Sequence, residues 1–416
     1  MFKERIKSHH NLGKKINNYI ERKEINEESF FKVLEQDIED VPRAIYVHTP
    51  YCDKICSFCN LNRKKLDGKL EEYAEYISSE FEKYGKTKYF RKRFFEVIYF
   101  GGGTPTVYNL KELEIILKSI KNNVKLAEDY EFTFESTLHN LNKKKLELMM
   151  KYGVNRISVG IQTFSEEGRK FYNRTFSKKQ TIEKLKEIKE CFKGDICIDI
   201  IYNYPGQKEE DIIEDAKLIK EIEISSSSFY SLMVHEGSNL SKDIQEKKIK
   251  MDNNLNNEKK LHDLFIKELC QDGEYYPLEL TKLAKKDGDN YQYIKVRNTG
   301  GDTFPIGVGA GGNVGNIGIY RMNKEKIFFS YRDNLYKKYS ILSGLMQFPK
   351  IELEHIKTLL SEEEYRYFIE KISEYRKKDL VKFNAGNLEL TNDGIFWGNN
   401  ISSGVIDYIV ESFFKD

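Results

Sequence analysis

Residues 46–59 read Tyr46-Val47-His48-Thr49-Pro50-Tyr51-Cys52-Asp53-Lys54-Ile55-Cys56-Ser57-Phe58-Cys59, a C-x3-C-x2-C run directly behind a short apolar strand at 44–48. The spacing puts three thiols on one tight loop. Three thiolates can hold three irons of a [4Fe–4S] cluster and leave the fourth iron open to a substrate or cofactor that receives one electron there. A zinc site is the competing reading, but it would favour the paired C-x2-C spacing twice. Cys191, Cys197 and Cys270 are scattered through apolar contexts and read as small buried side chains. Six cysteines in 416 residues are too sparse and too unevenly placed for a secreted disulfide scaffold.

Outward from this loop, short apolar strands alternate with amphipathic helices. Strands are expected at 44–48, 95–100, 130–135, 155–162, 195–202 and 228–234, and helices at 70–84, 110–121, 141–152, 179–191 and 211–221. Six strands separated by such helices imply parallel βα units with right-handed crossovers. The expected fold is therefore α/β, a partial (β/α)6 TIM-like barrel with its motifs just after the strands, where βα barrels place their chemistry. Around this core at 41–240, residues 1–40 read as a charged helical arm and 241–345 as a Gly-rich, substrate-binding α+β extension. Helices around a hairpin at 380–390 make 346–416 a small winged-helix-like module. That module carries no basic cluster, so it reads as a lid or packing module and not as a DNA reader.

The charge balance narrows the partners. Sixty-eight basic residues nearly cancel 66 acidic ones, leaving +2, so the chain as a whole has no electrostatic reason to bind nucleic acid or an anionic membrane. Its apolar runs are short and broken by glycine, far below the roughly 20 residues of a membrane span. The first ten residues lack the apolar stretch of a signal peptide. The chain reads as a soluble, cytoplasmic protein.

The second strand runs into Gly101-Gly102-Gly103-Thr104-Pro105-Thr106. A turn without side chains lets a ligand approach backbone N–H groups, although an ordinary tight turn would look the same. It lacks the Walker lysine and the dinucleotide fingerprint.

Together, Tyr46-x-His48-x-Pro50-Tyr51-Cys52-x3-Cys56-Ser57-Phe58-Cys59 and the GGGTPT turn resemble the radical S-adenosylmethionine (SAM) superfamily, and more narrowly its coproporphyrinogen dehydrogenase-like branch. Further elements agree in order: Glu135, Val159-Gly160-Ile161-Gln162-Thr163-Phe164, Arg174, and Asp199 ahead of Tyr204-Pro205-Gly206-Gln207. The resemblance implies a [4Fe–4S] cluster on Cys52, Cys56 and Cys59, with SAM chelating the open iron. Gly102, Gly103 and Thr104 would contact the amino acid end of SAM through backbone and hydroxyl groups, and Glu135 and Arg174 its charged groups. Gln162 and Asp199 would hold the ribose. Tyr46 and Phe58 would line the sulfonium and adenine, and Met233 would touch SAM.

Within the branch, oxygen-independent coproporphyrinogen III dehydrogenases carry a further Cys where this chain has Leu61, and the heme chaperones an HN-x-x-YW-like signature that is missing here. The stretch Tyr291-Gln292-Tyr293-Ile294-Lys295 and the Gly-rich 300–312 are instead similar to the anaerobilin synthases. That similarity implies a radical SAM methyltransferase acting on heme, a route of anaerobic heme catabolism. A 5′-deoxyadenosyl radical is formed, a methyl group is transferred to a meso carbon, and the ring opens to a linear tetrapyrrole (anaerobilin) with iron release. A flavodoxin or ferredoxin-type donor would reduce the cluster. The heme-binding chaperone and the dehydrogenase remain the alternatives. Candidate heme contacts are His48, His139, His235 and His262 with Arg297 and Arg321, His235 foremost because it follows the sixth strand.

Overall fold

The computed structural model describes residues 2–8, 16–37, 40–59, 63–251 and 254–414. Strands β1 (Arg43–Thr49), β2 (Phe95–Gly102), β3 (Leu126–Ser136), β4 (Arg156–Gln162), β5 (Asp195–Tyr202) and β6 (Ser226–Ser231) run parallel and pair in chain order. Helices Leu70–Gly85, Leu110–Asn123, Lys143–Lys151, Lys178–Cys191 and Glu209–Glu221 connect them. The expected α/β core is present. Ile45, Val47, Ile98 and Phe100 are fully buried in the core that the helices share, which is why these strands read as nearly unbroken apolar runs. The first helix turns Tyr73, Ala74, Ile77, Phe81 and Tyr84 inward along one stripe. Capping boxes at Asn109 and Ser177 fix where two others begin.

The sheet continues past these six strands on both sides. β7 (Asp302–Ile306) pairs parallel with β1. Gly311–Val314, Ile317–Arg321, Ile327–Arg332 and Arg22–Ile25 then follow in antiparallel order. Beyond β6 lie Lys282–Lys285 and Tyr275–Glu279, also antiparallel. Residues 241–345 thus lengthen one 13-stranded sheet at its two edges. The segment 1–40 departs from its helical reading. Arg22–Ile25 is a strand and Glu27–Leu34 a helix, because the open edge at Ile327–Arg332 offers a backbone ladder that a solvated charged helix lacks. Its residues 9–15 and 38–39 lie outside the described residues.

The N-terminal residues form a strap. Arg5 donates to Glu258 at 2.7 Å, to the Tyr202 hydroxyl at 2.6 Å and to the Phe396 carbonyl at 2.9 Å. β6 stops at Ser231, earlier than expected, so Met233 and His235 stand on the loop behind it. The C-terminal part has the expected helix–hairpin–helix form: Leu353–Leu359, Glu362–Arg376, the hairpin Val381–Asn384/Asn387–Leu390 and Gly398–Phe413, with Lys350–Glu352 as a third strand. Ala385 and Gly386 both take positive φ, as a two-residue hairpin turn demands.

A short helix, Gln292–Asn298, packs on β1, β2, β3 and β7 on the concave side of the sheet. Carboxylates hold its start: Tyr291 N–H donates to Asp289 at 2.8 Å and Gln292 N–H to Glu131 at 2.6 Å. Asp289 also accepts from Arg156 at 2.9 and 2.7 Å, and both residues are fully buried. Burial alone raises the Asp289 carboxyl, but the guanidinium outweighs it and holds the group far below the usual carboxylate range. Asp289→Ala strands a buried charge and should cost about 3–5 kcal/mol in urea unfolding at neutral pH. A carboxyl lowered by folding stabilises above its unfolded pKa, so this difference should shrink as the pH falls below about 4. Equal unfolding midpoints for variant and parent would refute the role given to the pair.

Candidate active site

The loops behind β1–β6 surround a cavity of about 770 Å³. Cys52, Cys56 and Cys59 all line it, Cys52 buried and the other two half-buried. Thr104 Oγ1 donates to Cys52 Sγ at 3.6 Å and Arg174 Nη1 to Cys56 Sγ at 3.4 Å. Burial pushes the Cys52 thiol up to about 11 against the Thr104 hydrogen bond, so it stays protonated at neutral pH until a metal takes the proton's place. Among the described residues, no three His, Cys, Asp or Glu side chains are grouped to hold a single metal ion. A cluster of several irons reaches ligands that stand farther apart.

The remaining cysteines lie off this loop. Cys197 is buried as expected, yet its setting is polar: Lys282 Nζ donates to its Sγ at 2.9 Å and to Ser228 Oγ at 2.8 Å.

Gly102, Gly103 and Thr104 line the cavity, but not as a cradle of free amides. Gly102 N–H donates to Glu135 Oε2 at 3.2 Å, Gly103 N–H to the Thr49 carbonyl at 2.6 Å and Thr104 N–H to the Tyr51 carbonyl at 2.8 Å. A Cβ on Gly103 would stand 2.4 Å from the Tyr51 carbonyl oxygen, and one on Gly102, at φ +107°, 2.6 Å from the His48 ring. Packing between the two loops therefore requires the glycines. The turn offers acceptors instead of donors, since the Gly103 carbonyl accepts no hydrogen bond among the described residues.

Glu135 accepts from the Tyr99 hydroxyl at 2.8 Å. Burial pushes its carboxyl up to about 7; the Tyr99 and Gly102 hydrogen bonds oppose the rise and Asp199 adds to it. Gln162 ends β4 at φ +66°, just behind a register shift, and such a bulge re-aims a side chain. Its buried Oε1 has no partner among the described residues, nor do Ser231 Oγ and Asn399 Oδ1, and all three residues line the cavity. Unmet buried acceptors on a cavity wall suit a polar ligand. Asp199, Arg174, Phe58 and Met233 complete the expected lining. Tyr46 alone is displaced. Its hydroxyl meets His48 Nδ1 at 3.1 Å and its ring lies in the wall of a second cavity.

The heme candidates separate. His139 and His235 line the first cavity, and Arg297 lines both. His262 is a core residue beside Phe229 and Phe396, its pKa pushed down to about 4 by burial. Arg321 is buried against Glu80 and the Pro305 carbonyl. These two and His48 line neither cavity. Leu61 lies outside the described residues.

Residues 46–219 match the family model described as the radical SAM superfamily. The chain carries a radical SAM domain. Its cofactors are a [4Fe–4S] cluster and SAM. The protein is 22% identical to the anaerobilin synthase of Escherichia coli O157:H7, over 91% of this chain and 87% of that one. It is 31% identical to the heme chaperone HemW of Lactococcus lactis, over 47% of this chain and 50% of the relative. Its fold is that of the Escherichia coli coproporphyrinogen III oxidase HemN, a radical SAM enzyme, with a TM-score of 0.76 at 19% identity over 92% and 94% of the two chains. No described helix is long and apolar enough to cross a membrane.

Sequence reasoning passed over two residues that line the radical SAM cavity, Tyr99 and Lys282. Tyr99 was within reach, because it pairs in register with Tyr46 and so shares its face. Lys282 had no signal, since a lone lysine normally faces water. The cysteine triplet makes a firm expectation. After anaerobic reconstitution, a Cys52/Cys56/Cys59→Ala triple variant should lack iron and the cluster's EPR signal, while Cys191→Ala and Cys270→Ala should match the parent. Iron and sulfide retained by the triple variant would take the cluster off this loop.

Proposed function

We propose that this protein degrades heme without oxygen by radical SAM methyl transfer, opening the porphyrin to a linear tetrapyrrole and releasing iron. The observation that carries this reading is the similarity to anaerobilin synthase over about nine-tenths of both chains. It extends beyond the barrel into 241–345. Leu61 in place of a fourth cysteine and the missing HN-x-x-YW signature support the same choice.

When bound, the cluster and SAM supply one-electron reductive chemistry and the methyl group. Cys52, Cys56 and Cys59 would hold the cluster, and the hydrogen bonds from Thr104 and Arg174 favour the thiolate form of two of them. The Gly103 carbonyl and the Glu135 carboxylate present acceptors to the cationic part of SAM, and Arg174 a cation to its carboxylate. Gln162 Oε1 is a buried acceptor that a ribose hydroxyl would satisfy. Asp199 serves the same sugar, while Phe58 and Met233 give apolar contact. Heme is the substrate and a flavodoxin or ferredoxin-type protein the electron donor.

Because Glu135 ionises near 7 and a sulfonium is cationic at every pH, SAM binding favours the ionised carboxylate. SAM affinity of the cluster-loaded protein, read by titration calorimetry, should rise between about pH 6 and 8. Glu135→Gln should flatten that profile. Asp199→Ala should weaken SAM by about 1.5–3 kcal/mol with cluster content unchanged. A flat profile in the parent would remove Glu135 from the SAM site.

The reaction has its own test. Under strict anaerobiosis, heme absorbance should disappear only when both SAM and a low-potential reductant are present, and methyl-labelled SAM should leave label in a linear tetrapyrrole. Heme that binds but survives both reagents would favour the chaperone reading. Decarboxylation of coproporphyrinogen III would favour the dehydrogenase.

A further inference from the structure

The two chambers on the concave face share a wall, with Tyr99, Glu135, Tyr291 and Arg297 lining both. Beside that wall lies a buried cation that the roles given above leave unused. Lys282 Nζ stands 4.3 Å from the centre of the Tyr291 ring. The residue opens the strand Lys282–Lys285 and is only 3% exposed, yet it lines the same cavity as Cys52, Cys56 and Cys59. A lysine is seldom found so deep, because its ammonium gives up its hydration there.

Its partners hold it without binding its proton tightly. Two of the three ammonium N–H bonds are committed, to Cys197 Sγ at 2.9 Å and to Ser228 Oγ at 2.8 Å. A thiol and a hydroxyl do not retain a proton on nitrogen as a paired carboxylate does. Lys282 makes no ion pair among the described residues. The two carboxylates whose ionisation it favours are bonded elsewhere, Asp289 to Arg156 and Glu279 to Thr281. One N–H of Lys282 is left without an acceptor.

The other groups around this cavity are poorer sources of a proton. Arg169, Arg174 and Arg297 line it, and a guanidinium does not surrender its proton. Burial holds the phenols of Tyr99, Tyr230 and Tyr291 far above their ordinary range. Burial also lowers His235, which favours its neutral ring. Glu135 is ionised once it faces a sulfonium. Lys7 is paired with Glu258 at 3.0 Å, and Lys54 is exposed on the cysteine loop.

We propose that Lys282 is a catalytic proton donor, serving the nitrogens from which iron departs. The role rests on the heme reading above. A porphyrin holds its iron as a dianion, so releasing the metal as a cation calls for two protons on ring nitrogens. In each transfer an N–H bond of the ammonium breaks and its electron pair stays on Nζ. The proton joins the electron pair that the iron–nitrogen bond leaves on the ring nitrogen, and no atom is oxidised or reduced. Solvent recharges the amine between the two transfers. In the amine state Nζ accepts from the Ser228 hydroxyl, so the side chain keeps its place throughout.

The test separates methyl transfer from iron release in the reconstituted, full-length protein. Heme, methyl-labelled SAM and a low-potential reductant are combined without oxygen. Label entering the tetrapyrrole and iron reaching a chelator are then counted in the same samples, with isotope-labelled iron in the heme to keep cluster iron out of the count. Lys282→Met and Lys282→Arg should load the cluster, bind SAM and transfer methyl as the parent does, but release iron about a hundredfold more slowly. A methylated, iron-bearing tetrapyrrole should build up. Arginine fails here although it keeps the charge, because it keeps the proton too. Added ethylamine should restore iron release to Lys282→Ala. Variants that release iron and transfer methyl in the parent's ratio overturn the role and leave the heme reading standing. Methyl transfer and iron release lost in equal measure in both variants would place Lys282 in binding or folding, and overturn it as well. A parent that neither methylates heme nor frees its iron overturns the heme reading, and the proposal with it.

Discussion

A single close approach organises this molecule. Gly103 lies so near the Tyr51 carbonyl that no side chain fits between them, and the amides of Gly103 and Thr104 bond to Thr49 and Tyr51. The loop after β1 is thereby fastened to the turn after β2. Thr104 then reaches Cys52, and Gly102 reaches Glu135 on β3. Two motifs that stand far apart in sequence become adjacent walls of one cavity because their backbones are bonded. Any residue larger than glycine at 103 would push the cysteine loop off the barrel end.

The parallel ladder does the rest. Strands paired in chain order put every post-strand loop at one end, so Gln162, Asp199 and Met233 arrive around the same space as the thiols without long excursions. The cavity they line is polar in a particular way: it holds buried acceptors that lack donors, a carboxyl raised to about 7 and an arginine against a sulfur. Groups left so are costly in a closed core. Their concentration at one strand end marks where a ligand completes the structure.

Much of this was legible beforehand, for physical reasons. Parallel strands buried on both faces and helices with one apolar stripe announce themselves by periodicity, so β1 to β5 appear where expected. The cysteine loop is legible because thiol spacing is local. Edges are not. Whether Arg22–Ile25 becomes helix or strand depends on the free ladder of Ile327–Arg332, hundreds of residues away. The seventh parallel strand, Asp302–Ile306, was hidden inside a stretch that reads as glycine loop. The turn at Gly102–Gly103 shows a subtler gap. Sequence reveals that side chains are excluded there, but only the hydrogen bonds reveal that a neighbouring backbone, and not a ligand, excludes them. Tyr46 was misplaced for a related reason, because strand parity gives the face and not which of two chambers that face meets.

The partition between those chambers hangs on a buried ion pair outside the chemistry. Tyr291 sits at φ +41°, a left-handed backbone that a bulky residue adopts at a cost of about 1–3 kcal/mol. It is held there because its N–H is bonded to Asp289 and the next N–H to Glu131, and Asp289 is fixed by Arg156 of β4. Tyr291 in turn packs its ring over that guanidinium, 4.5 Å from the ring centre. The strained backbone, the two carboxylates and the cation thus brace one another. Arg156 lies at the start of β4, so the barrel that carries the cysteine loop at one end also fixes, from its other end, the helix that divides the concave face. The buried pair that steadies the fold therefore also holds Tyr291 in the wall that the two cavities share.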